Sequence, residues 1–202
     1  MKIITWNIAG LPKYVNLHGN PELRIEKIIK KIASCHADII FLQEVFTQSL
    51  INKIHNAFKK KYYIRFDTSR NKLNLVGSGL VVLVLKSKFK VKSTQFKSFD
   101  SATGEDRFAN KGYQTLLVCY LPKKIHSLKL INTHLNNPDA LLSKFKTSMT
   151  VTRQQMQIIE KKFNNTRLPC ILGGDFNLKK INLNCYGIKN KIDYLFYKNR
   201  YK

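Results

Sequence analysis

The stretch ILGGDFN, residues 171–177, decides how the rest of the chain is interpreted. It is an apolar, strand-like run that stops at two glycines and then presents Asp175 and Asn177. Side chains two positions apart point to the same side of an extended segment, so these two polar groups can converge on one point. That point would be a metal, a water or a phosphate. The alternative is an ordinary turn, because Gly-Gly-Asp is also a turn sequence.

Length and composition indicate a globular chain without a membrane-spanning segment. The 202 residues, 44% of them apolar, suffice for one large buried core, and we expect a single domain over residues 1–202. No apolar run approaches the roughly 20 residues that a transmembrane helix needs. The N-terminal MKIITWNIAGLP lacks the apolar region of a secretory signal, which favours a first strand and a cytoplasmic protein.

The net charge of +24 is the most extreme global property of the chain. A positive field of this size favours polyanions, namely nucleic acid, an anionic membrane surface or phosphorylated substrates. Only seven of the 36 basic residues are Arg, however, and a surface that grips phosphates or base edges uses more guanidinium groups. The charge therefore indicates anionic partners without choosing among them.

Apolar periodicity predicts a mixed α/β chain. Helices are expected from Asn20-Pro21 to about Ala33, after the N-cap residue Thr47, and from about Met149 to Phe163. Strand patterns occupy the segments 2–8, 37–45, 62–66, 78–85, 91–99, 113–121, 128–135, 169–177 and 191–197. Because some strands are separated by helices and others are hairpin-like neighbours, we expect a mixed sandwich of two packed sheets.

Four of the predicted strands finish in polar residues of a similar kind. They end in Asn7, in Glu44, in Thr133-His134, and in Asp175 with Asn177. Ligand sites form where strand ends gather, because a rigid sheet fixes the polar groups that loops carry. A carboxylate with further oxygen ligands suits Mg²⁺ or Mn²⁺, and the absence of cysteines from this set disfavours zinc. A hard metal beside an imidazole and amides is a site for cleaving a phosphate ester.

Five motifs carry a resemblance to a known family. TWNIAG, FLQEV, NTHL, GGDFN and IDYLFY stand in the order and approximate spacing of the endonuclease/exonuclease/phosphatase superfamily, the DNase I-like metallophosphodiesterases, from residue 4 to about 197. The resemblance implies an α/β (α+β) fold, a four-layer sandwich of two packed mixed β-sheets flanked by helices. It also implies a phosphoric diester hydrolase that depends on Mg²⁺ or Mn²⁺.

The resemblance assigns a role to each polar strand end. Glu44 resembles the metal-binding carboxylate, and Asn7 resembles the amide beside it that contacts metal or phosphate. Asp175 and Asn177 resemble the pair that orients water and phosphate. His134 resembles the imidazole that helps to stabilise the transition state.

The segment GEDRFANKGYQTLLV, residues 104–118, bears on the substrate. Neutral sphingomyelinases carry the pattern D-x-x-A-(N/S)-K-G before a strand, and Asp106, Ala109, Asn110, Lys111 and Gly112 fit it. In that family the Lys reaches the substrate phosphate and the Asp acts in a conformational switch. The plain alternative is a polar turn before a strand.

The substrate implied by this segment is a sphingomyelin-type lipid, cleaved with release of phosphocholine. The alternatives are an Mg²⁺-dependent DNA or RNA endonuclease or exonuclease, which the positive charge favours, and a catalytically inactive relative. The same charge would favour peripheral contact with an anionic membrane.

The chain departs from the family pattern after Asp193, which resembles the acid that supports the active-site histidine network. Family members continue with a strand led by Ser-Asp-His, whose His is the principal base or acid, and this sequence contains no Asp-His dipeptide. His18 is the remaining histidine best placed to stand in. We therefore expect a C-terminally truncated domain that lacks the last strand, with activity impaired, since losing a general base costs roughly 10²–10⁴-fold in rate.

Overall fold

The computed structural model describes residues 1–12, 19–68, 77–103, 106, 111–121, 127–139, 144–181, 183, 185–190 and 193–198. The helices in this part of the chain are α1 (Pro21–Ser34), α2 (Gln48–Phe58) and α3 (Phe145–Asn164). The strands are β1 (Ile3–Asn7), β2 (Ile39–Gln43), β3 (Tyr62–Phe66), β4 (Val81–Leu85), β5 (Phe89–Ser98), β6 (Gly112–Tyr120), β7 (Ser127–His134), β8 (Cys170–Asp175), β9 (Tyr186–Asn190) and β10 (Asp193–Lys198). Each strand and helix predicted from the sequence is present, with ends that agree to within four residues.

The first two helices begin at the capping residues predicted for them. The Asn20 side chain accepts a hydrogen bond from the backbone N–H of Glu22 at 3.0 Å. The Thr47 hydroxyl accepts one from the backbone N–H of Leu50 at 3.2 Å. Both bonds satisfy donors that the first turn of a helix leaves without an intrahelical partner.

Two features differ from the prediction, and both lack a local sequence signal. Helix α3 starts at Phe145, ahead of Met149, and the side chain of its N-cap residue Lys144 makes no capping hydrogen bond. Strand β9 was not predicted, because its Tyr186 and Ile188 are exposed at 86% and 74% and show no inward-facing alternation. Pairing with β10 forms this strand.

The strands form two mixed sheets. The first has the order β1-β2-β4-β3, with β1 and β2 parallel and the other neighbours antiparallel. The second has the order β5-β6-β7-β8-β10-β9, with β7 and β8 parallel and the other neighbours antiparallel. Each parallel pair needs a helix between its strands, and α1 and α3 provide those connections.

Buried apolar side chains form three layers of core that stack the elements. Helices α1 and α2 cover the outer face of the first sheet through Ile25, Ile28, Ile32, Leu50, Ile54 and Phe58. The two sheets meet through Ile39, Phe41, Val82, Leu116, Leu130 and Ile171. Helix α3 covers the second sheet through Met156, Ile159 and Phe163. The predicted four-layer sandwich is confirmed.

A polar pair between the sheets fixes where the strand ends lie. Gln43 Nε2 donates to Asn132 Oδ1 at 2.7 Å, and Asn132 Nδ2 donates to the carbonyl of Leu42 at 3.0 Å. Both side chains are fully buried. Because Gln43 ends β2 and Asn132 lies two residues before the end of β7, this pair holds the polar ends of the two sheets together.

No helix in the described segments is long and apolar enough to cross a membrane. The expectations of a cytoplasmic location and of one truncated domain over residues 1–202 stay predictions.

Candidate active site

Asn7 joins two carboxylates at the edge where the strands end. Its Nδ2 donates to Glu44 Oε1 at 2.8 Å and to Asp175 Oδ2 at 2.9 Å. Its Oδ1 accepts a hydrogen bond from the backbone N–H of Ala9 at 2.9 Å, so the NH₂ group faces the carboxylates. Asn7 ends β1, Glu44 directly follows β2 and Asp175 ends β8, so the site spans both sheets.

The backbone around these groups has an uncommon shape. Ala9, Glu44 and Asn177 have left-handed φ angles of 50°, 59° and 50°. For residues with a Cβ this conformation costs about 1 kcal/mol or more. Gly10 packs against the carbonyl of Glu44 so closely that a Cβ at position 10 would overlap it. The fold thus holds the carboxylate-bearing segment in a strained conformation.

Arg24 of α1 holds the segment that follows β1. Its guanidinium donates to the carbonyls of Ile8 at 3.3 Å and Ala9 at 2.7 Å. The sequence does not single out this residue, because an Arg on an amphipathic helix carries no signal for a specific long-range contact. Its effect is to position Asn7 through the adjacent turn.

His134 ends β7 and lies against both carboxylates. The imidazole is 3% exposed, and its Nε2 lies 3.8 Å from Glu44 Oε1 and 3.8 Å from Asp175 Oδ2. Burial and the nearby Lys111 ammonium lower the pKa of His134 well below its usual value. The imidazole is therefore neutral at pH 7.

Lys111 provides a buried positive charge at the site. Its Nζ lies 2.9 Å from Nδ1 and 2.6 Å from Nε2 of His134, and 3.3 Å from Asp106 Oδ1. The other carboxylate oxygen of Asp106 accepts a hydrogen bond from the backbone N–H of Asn137. Asp106 therefore ties the segment before β6 to the segment after β7. Its predicted role in a conformational switch stays a prediction.

Asp175 is fixed from three sides at the end of β8. Its Oδ1 accepts the backbone N–H of Asn177 at 3.0 Å, and the Asn177 amide donates to the carbonyl of Leu135 at 2.9 Å. At Gly174, where φ is 152°, a Cβ would overlap the Thr133 carbonyl of β7. Asp193 of β10 is the register partner of Asp175. The two glycines thus allow close strand packing, and the segment is not a simple turn.

Burial raises the pKa of three carboxyls at this edge. It raises the pKa of Glu44 and of Asp175 above their usual values, although Lys111 and the Asn7 amide act in the opposite direction. Burial and the charge of Asp175 raise the pKa of Asp193 to about 7. One oxygen of Asp193 is buried without a hydrogen-bond partner. The site carries more carboxylate than Lys111 alone can balance.

This donor set fits a hard divalent cation. Within the described part of the chain, no three His, Cys, Asp or Glu side chains form a cluster that could enclose a metal. Mg²⁺ typically takes one or two protein carboxylates and keeps several waters, so it does not require such a cluster. The buried carboxylate of Asp175 and the partly buried carboxylate of Glu44 offer oxygen ligands and uncompensated negative charge. They fit Mg²⁺ or Mn²⁺ better than zinc, whose closed sites use nitrogen and sulfur ligands.

The structure gathers the predicted site residues at one edge of the sandwich, and their individual roles stay predictions. These residues are Asn7, Glu44, Asp106, Lys111, His134, Asp175, Asn177 and Asp193. His18, Ala109 and Asn110 lie outside the described residues.

A buried network behind the site was missed by sequence reasoning. Asn136 receives hydrogen bonds from Thr103 N–H at 2.7 Å and Thr152 Oγ1 at 2.9 Å, and donates to Ser148 Oγ at 2.7 Å and Gln155 Oε1 at 2.7 Å. We call these five residues the Asn136 network. It joins α3 to the segment after β7. The available signal was the second Asn of NTHLNN, two residues after His134.

Curated relatives of this chain are sphingomyelinases by name. The putative neutral sphingomyelinase of Drosophila melanogaster is 31% identical over 88% of this chain and 39% of that protein. Sphingomyelinase C of Bacillus cereus is 24% identical over 90% of this chain and 58% of that protein. The chain thus spans less than two thirds of the length of either relative.

A solved structure and a family match agree with these relatives. A mutant of beta toxin from Staphylococcus aureus, whose structure holds bound magnesium ions, superposes with a TM-score of 0.79 at 18% identity, covering 100% of this chain and 84% of that one. This likeness confirms the predicted fold. The sequence pattern described as the endonuclease/exonuclease/phosphatase family matches residues 4–201. The chain belongs to the endonuclease/exonuclease/phosphatase family.

Proposed function

We propose that the protein is a divalent-metal-dependent phosphodiesterase of the sphingomyelinase type, which releases phosphocholine from a sphingomyelin-like lipid. The observation that carries this proposal is the buried cluster in which Asn7 joins Glu44 to Asp175 while Lys111 and His134 face them. Family membership and the names of the curated relatives support it.

Glu44 is the residue proposed to hold Mg²⁺ or Mn²⁺, with Asn7 keeping its carboxylate in place. Such an ion, when bound, polarises the phosphoryl oxygens and makes a coordinated water more acidic. Glu44 suits this role because its side chain is only 18% exposed and has one oxygen bonded to Asn7. Asn7 also holds Asp175, so the two carboxylates keep a constant separation.

Asp175 is the proposed base for the attacking water. Its pKa is raised by burial, which makes the ionised carboxylate a better proton acceptor than an exposed Asp. The Asn177 N–H and the Asn7 amide hold both of its oxygens, so the carboxylate has a defined orientation. Hydrolysis adds the water oxygen to phosphorus and breaks the bond from phosphorus to the alcohol oxygen.

Lys111 and His134 are proposed to stabilise the charge on the phosphoryl group. The Lys111 ammonium is only 4% exposed, and a buried charge interacts more strongly with a phosphate than a solvated one. His134 is neutral, so it can accept a hydrogen bond from Lys111, whose Nζ lies within 2.9 Å of both ring nitrogens, and it holds the ammonium at the site. Asp106 holds Lys111 in place.

A nuclease is the second candidate, favoured by one observation. The net charge of +24 would attract a polyanionic backbone, although it would equally favour contact with an anionic membrane. The two substrates differ in the alcohol attached to phosphorus, so they can be compared directly.

The test offers both substrates to the purified chain. Sphingomyelin in detergent micelles and supercoiled plasmid are each incubated with Mg²⁺ and with EDTA. We expect Mg²⁺-dependent release of choline phosphate. Nicking of the plasmid alone would support the nuclease, and failure to act on either substrate would refute the proposal.

A pair of Glu variants assigns the activity to the site. Glu44→Gln keeps an oxygen for Asn7 but removes the charge, and it should lower kcat/KM about 10³-fold. Glu26→Gln makes the same change at an exposed position on α1 and should leave the rate unchanged. Equal rates for the two variants would contradict the role of Glu44.

A further inference from the structure

A groove of about 730 Å³ adjoins the candidate active site. It begins at Asn137 and Asn177 and runs between α3 and the segment that follows β8. Asn177 donates its backbone N–H to Asp175, and Asn137 donates its backbone N–H to Asp106. The two residues at the near end of the groove are therefore hydrogen-bonded directly to Asp175 and Asp106 of the site. A group bonded to a phosphate in the site could extend directly into it.

The floor of the groove is aliphatic. Met149 and Met156 line it from α3, and Leu178 and Ile181 line it from the opposite side. Residues seven apart lie on one face of a helix, so both methionines point the same way. Methionine is unbranched and flexible, and it adapts to flexible apolar ligands.

The groove is poorly suited to nucleic acid bases. Among the described residues that line it, none is aromatic. Proteins that bind single-stranded nucleic acid stack bases on aromatic side chains, a contribution of about 1–3 kcal/mol per base. An aliphatic floor instead gains about 0.8 kcal/mol for each CH₂ group that a ligand buries.

The rim of the groove is charged, with basic groups in the majority. Arg153, Lys179 and Lys180 are exposed there, together with the exposed acidic residue Asp139 and the half-buried Glu160. Long basic side chains beside an apolar floor suit a ligand with an apolar tail near phosphate groups, because the stems cover the tail and the heads contact the phosphates.

We propose that this groove is a subsite for the aliphatic chain of an amphiphilic phosphodiester, so that the alcohol side of the substrate lies between α3 and the segment after β8. This inference rests on the proposed function. It adds a location for the alcohol side of the substrate and a set of lining residues that favour a lipid over a nucleic acid. Its size, about 730 Å³, is within the roughly 300–1,000 Å³ of small-molecule sites.

The methionines themselves provide the test. The chain has 3 Met residues: Met149 and Met156 line the groove, and Met1 is 65% exposed at the N-terminus. The chain with ¹³C-methyl methionine is titrated in EDTA with an alkylphosphocholine below its micelle concentration. We expect the signals of Met149 and Met156 to shift and that of Met1 to stay. Phosphocholine without a chain and a short oligonucleotide should leave the groove signals in place.

Two variants on α3 form a matched pair. Met149→Glu places a carboxylate on the groove floor and should weaken alkylphosphocholine binding about tenfold. The Met156 signal measures this binding. Ile158→Glu makes the same kind of change at an exposed position on the opposite side of α3, nine residues along, and should bind like the parent. Thermal melting shows that both variants are folded.

The outcomes separate this proposal from the proposed function. No shift of Met149 and Met156, a shift caused by the oligonucleotide instead, or equal weakening by both variants would overturn the subsite. Because the titration needs no turnover, a chain that binds the alkyl probe but hydrolyses neither substrate would keep the subsite and refute the phosphodiesterase.

Discussion

Two buried polar clusters flank the end of β7, and they are built in opposite ways. The active-site cluster (Asn7, Glu44, Lys111, His134 and Asp175) places two carboxylates of raised pKa near a single ammonium. The Asn136 network has no charged side chain, and Asn136 uses its backbone and amide groups in hydrogen bonds of 2.7–2.9 Å. The active-site cluster concentrates charge, whereas the Asn136 network satisfies the hydrogen bonds of Asn136 with its own neutral groups.

The difference between the two clusters shows that different residues stabilise this fold and provide the charge of the site. Buried carboxylates and left-handed backbone at Ala9, Glu44 and Asn177 disfavour folding, but they provide charge in a fixed place. The Asn136 network offsets such costs and anchors the segment whose Asn137 N–H holds Asp106. Each cluster should therefore respond differently to substitution.

The largest effect is expected for Lys111→Met, which removes the buried cation. It would leave Asp106, Glu44 and Asp175 without a buried positive partner, so the free energy of unfolding should fall by roughly 3–5 kcal/mol. Urea unfolding measures this change. Lys30→Met, at an exposed position on α1, should change stability by less than about 0.5 kcal/mol. A loss at Lys111 as small as the control would show that the carboxylates are balanced by another group.

The next effect tests the neutral network. Asn136→Ala removes the side-chain amide that bonds to the Thr103 N–H and the Ser148 hydroxyl, and it should lower the free energy of unfolding by about 3 kcal/mol. The measurement is chemical unfolding, and exposed Asn52→Ala on α2 is the control. If the two variants were equally stable, the network would not be the stabilising half of the comparison.

A smaller effect is expected at the polar pair between the sheets. In a double-mutant cycle of Gln43→Ala and Asn132→Ala, we expect a coupling energy of about 1.5 kcal/mol, because their hydrogen bond is fully buried. Unfolding of the four proteins measures it. Additive single effects would mean that the pair does not link the sheets energetically.

The smallest effect concerns pH. The pKa of Asp193 is about 7 in the fold, against about 3.9 for an unfolded chain, so the folded state binds the extra proton between these values. This group's contribution to stability therefore falls as pH rises toward and through about 7. Because Asp193→Asn cannot ionise, its free energy of unfolding at pH 8 should exceed that of the parent by about 1 kcal/mol after solvent screening. This difference should fade near pH 4. Thermal melting of both proteins between pH 4 and pH 8 measures this. If the stability difference between them did not change with pH, the raised pKa of Asp193 would be excluded.

The fold was largely predictable from local patterns. Asn20 and Thr47 correctly predicted where α1 and α2 begin, since a capping side chain acts on residues only two or three positions away. Helix α3 lacked such a cap, and β9 has no inward-facing alternation, so their limits depended on neighbours distant in sequence.

The site was predictable as a set of residues but not as a set of contacts. The polar strand ends and the family motifs indicated Asn7, Glu44, His134 and Asp175. That Lys111 lies on His134, and that Arg24 holds the turn after β1, depends on packing. A Lys or Arg in so basic a chain carries no information about its partner.

By itself, the sequence determined the helices, the described strands except β9, and which strands end in polar groups, because periodicity and capping act over a few residues. Only the tertiary structure decided that Asn7 meets Asp175, 168 positions away, and that a methionine-floored groove opens beside them. The physical reason is that such meetings depend on how two twisted sheets and a helix pack, and packing sums many weak contacts between distant segments.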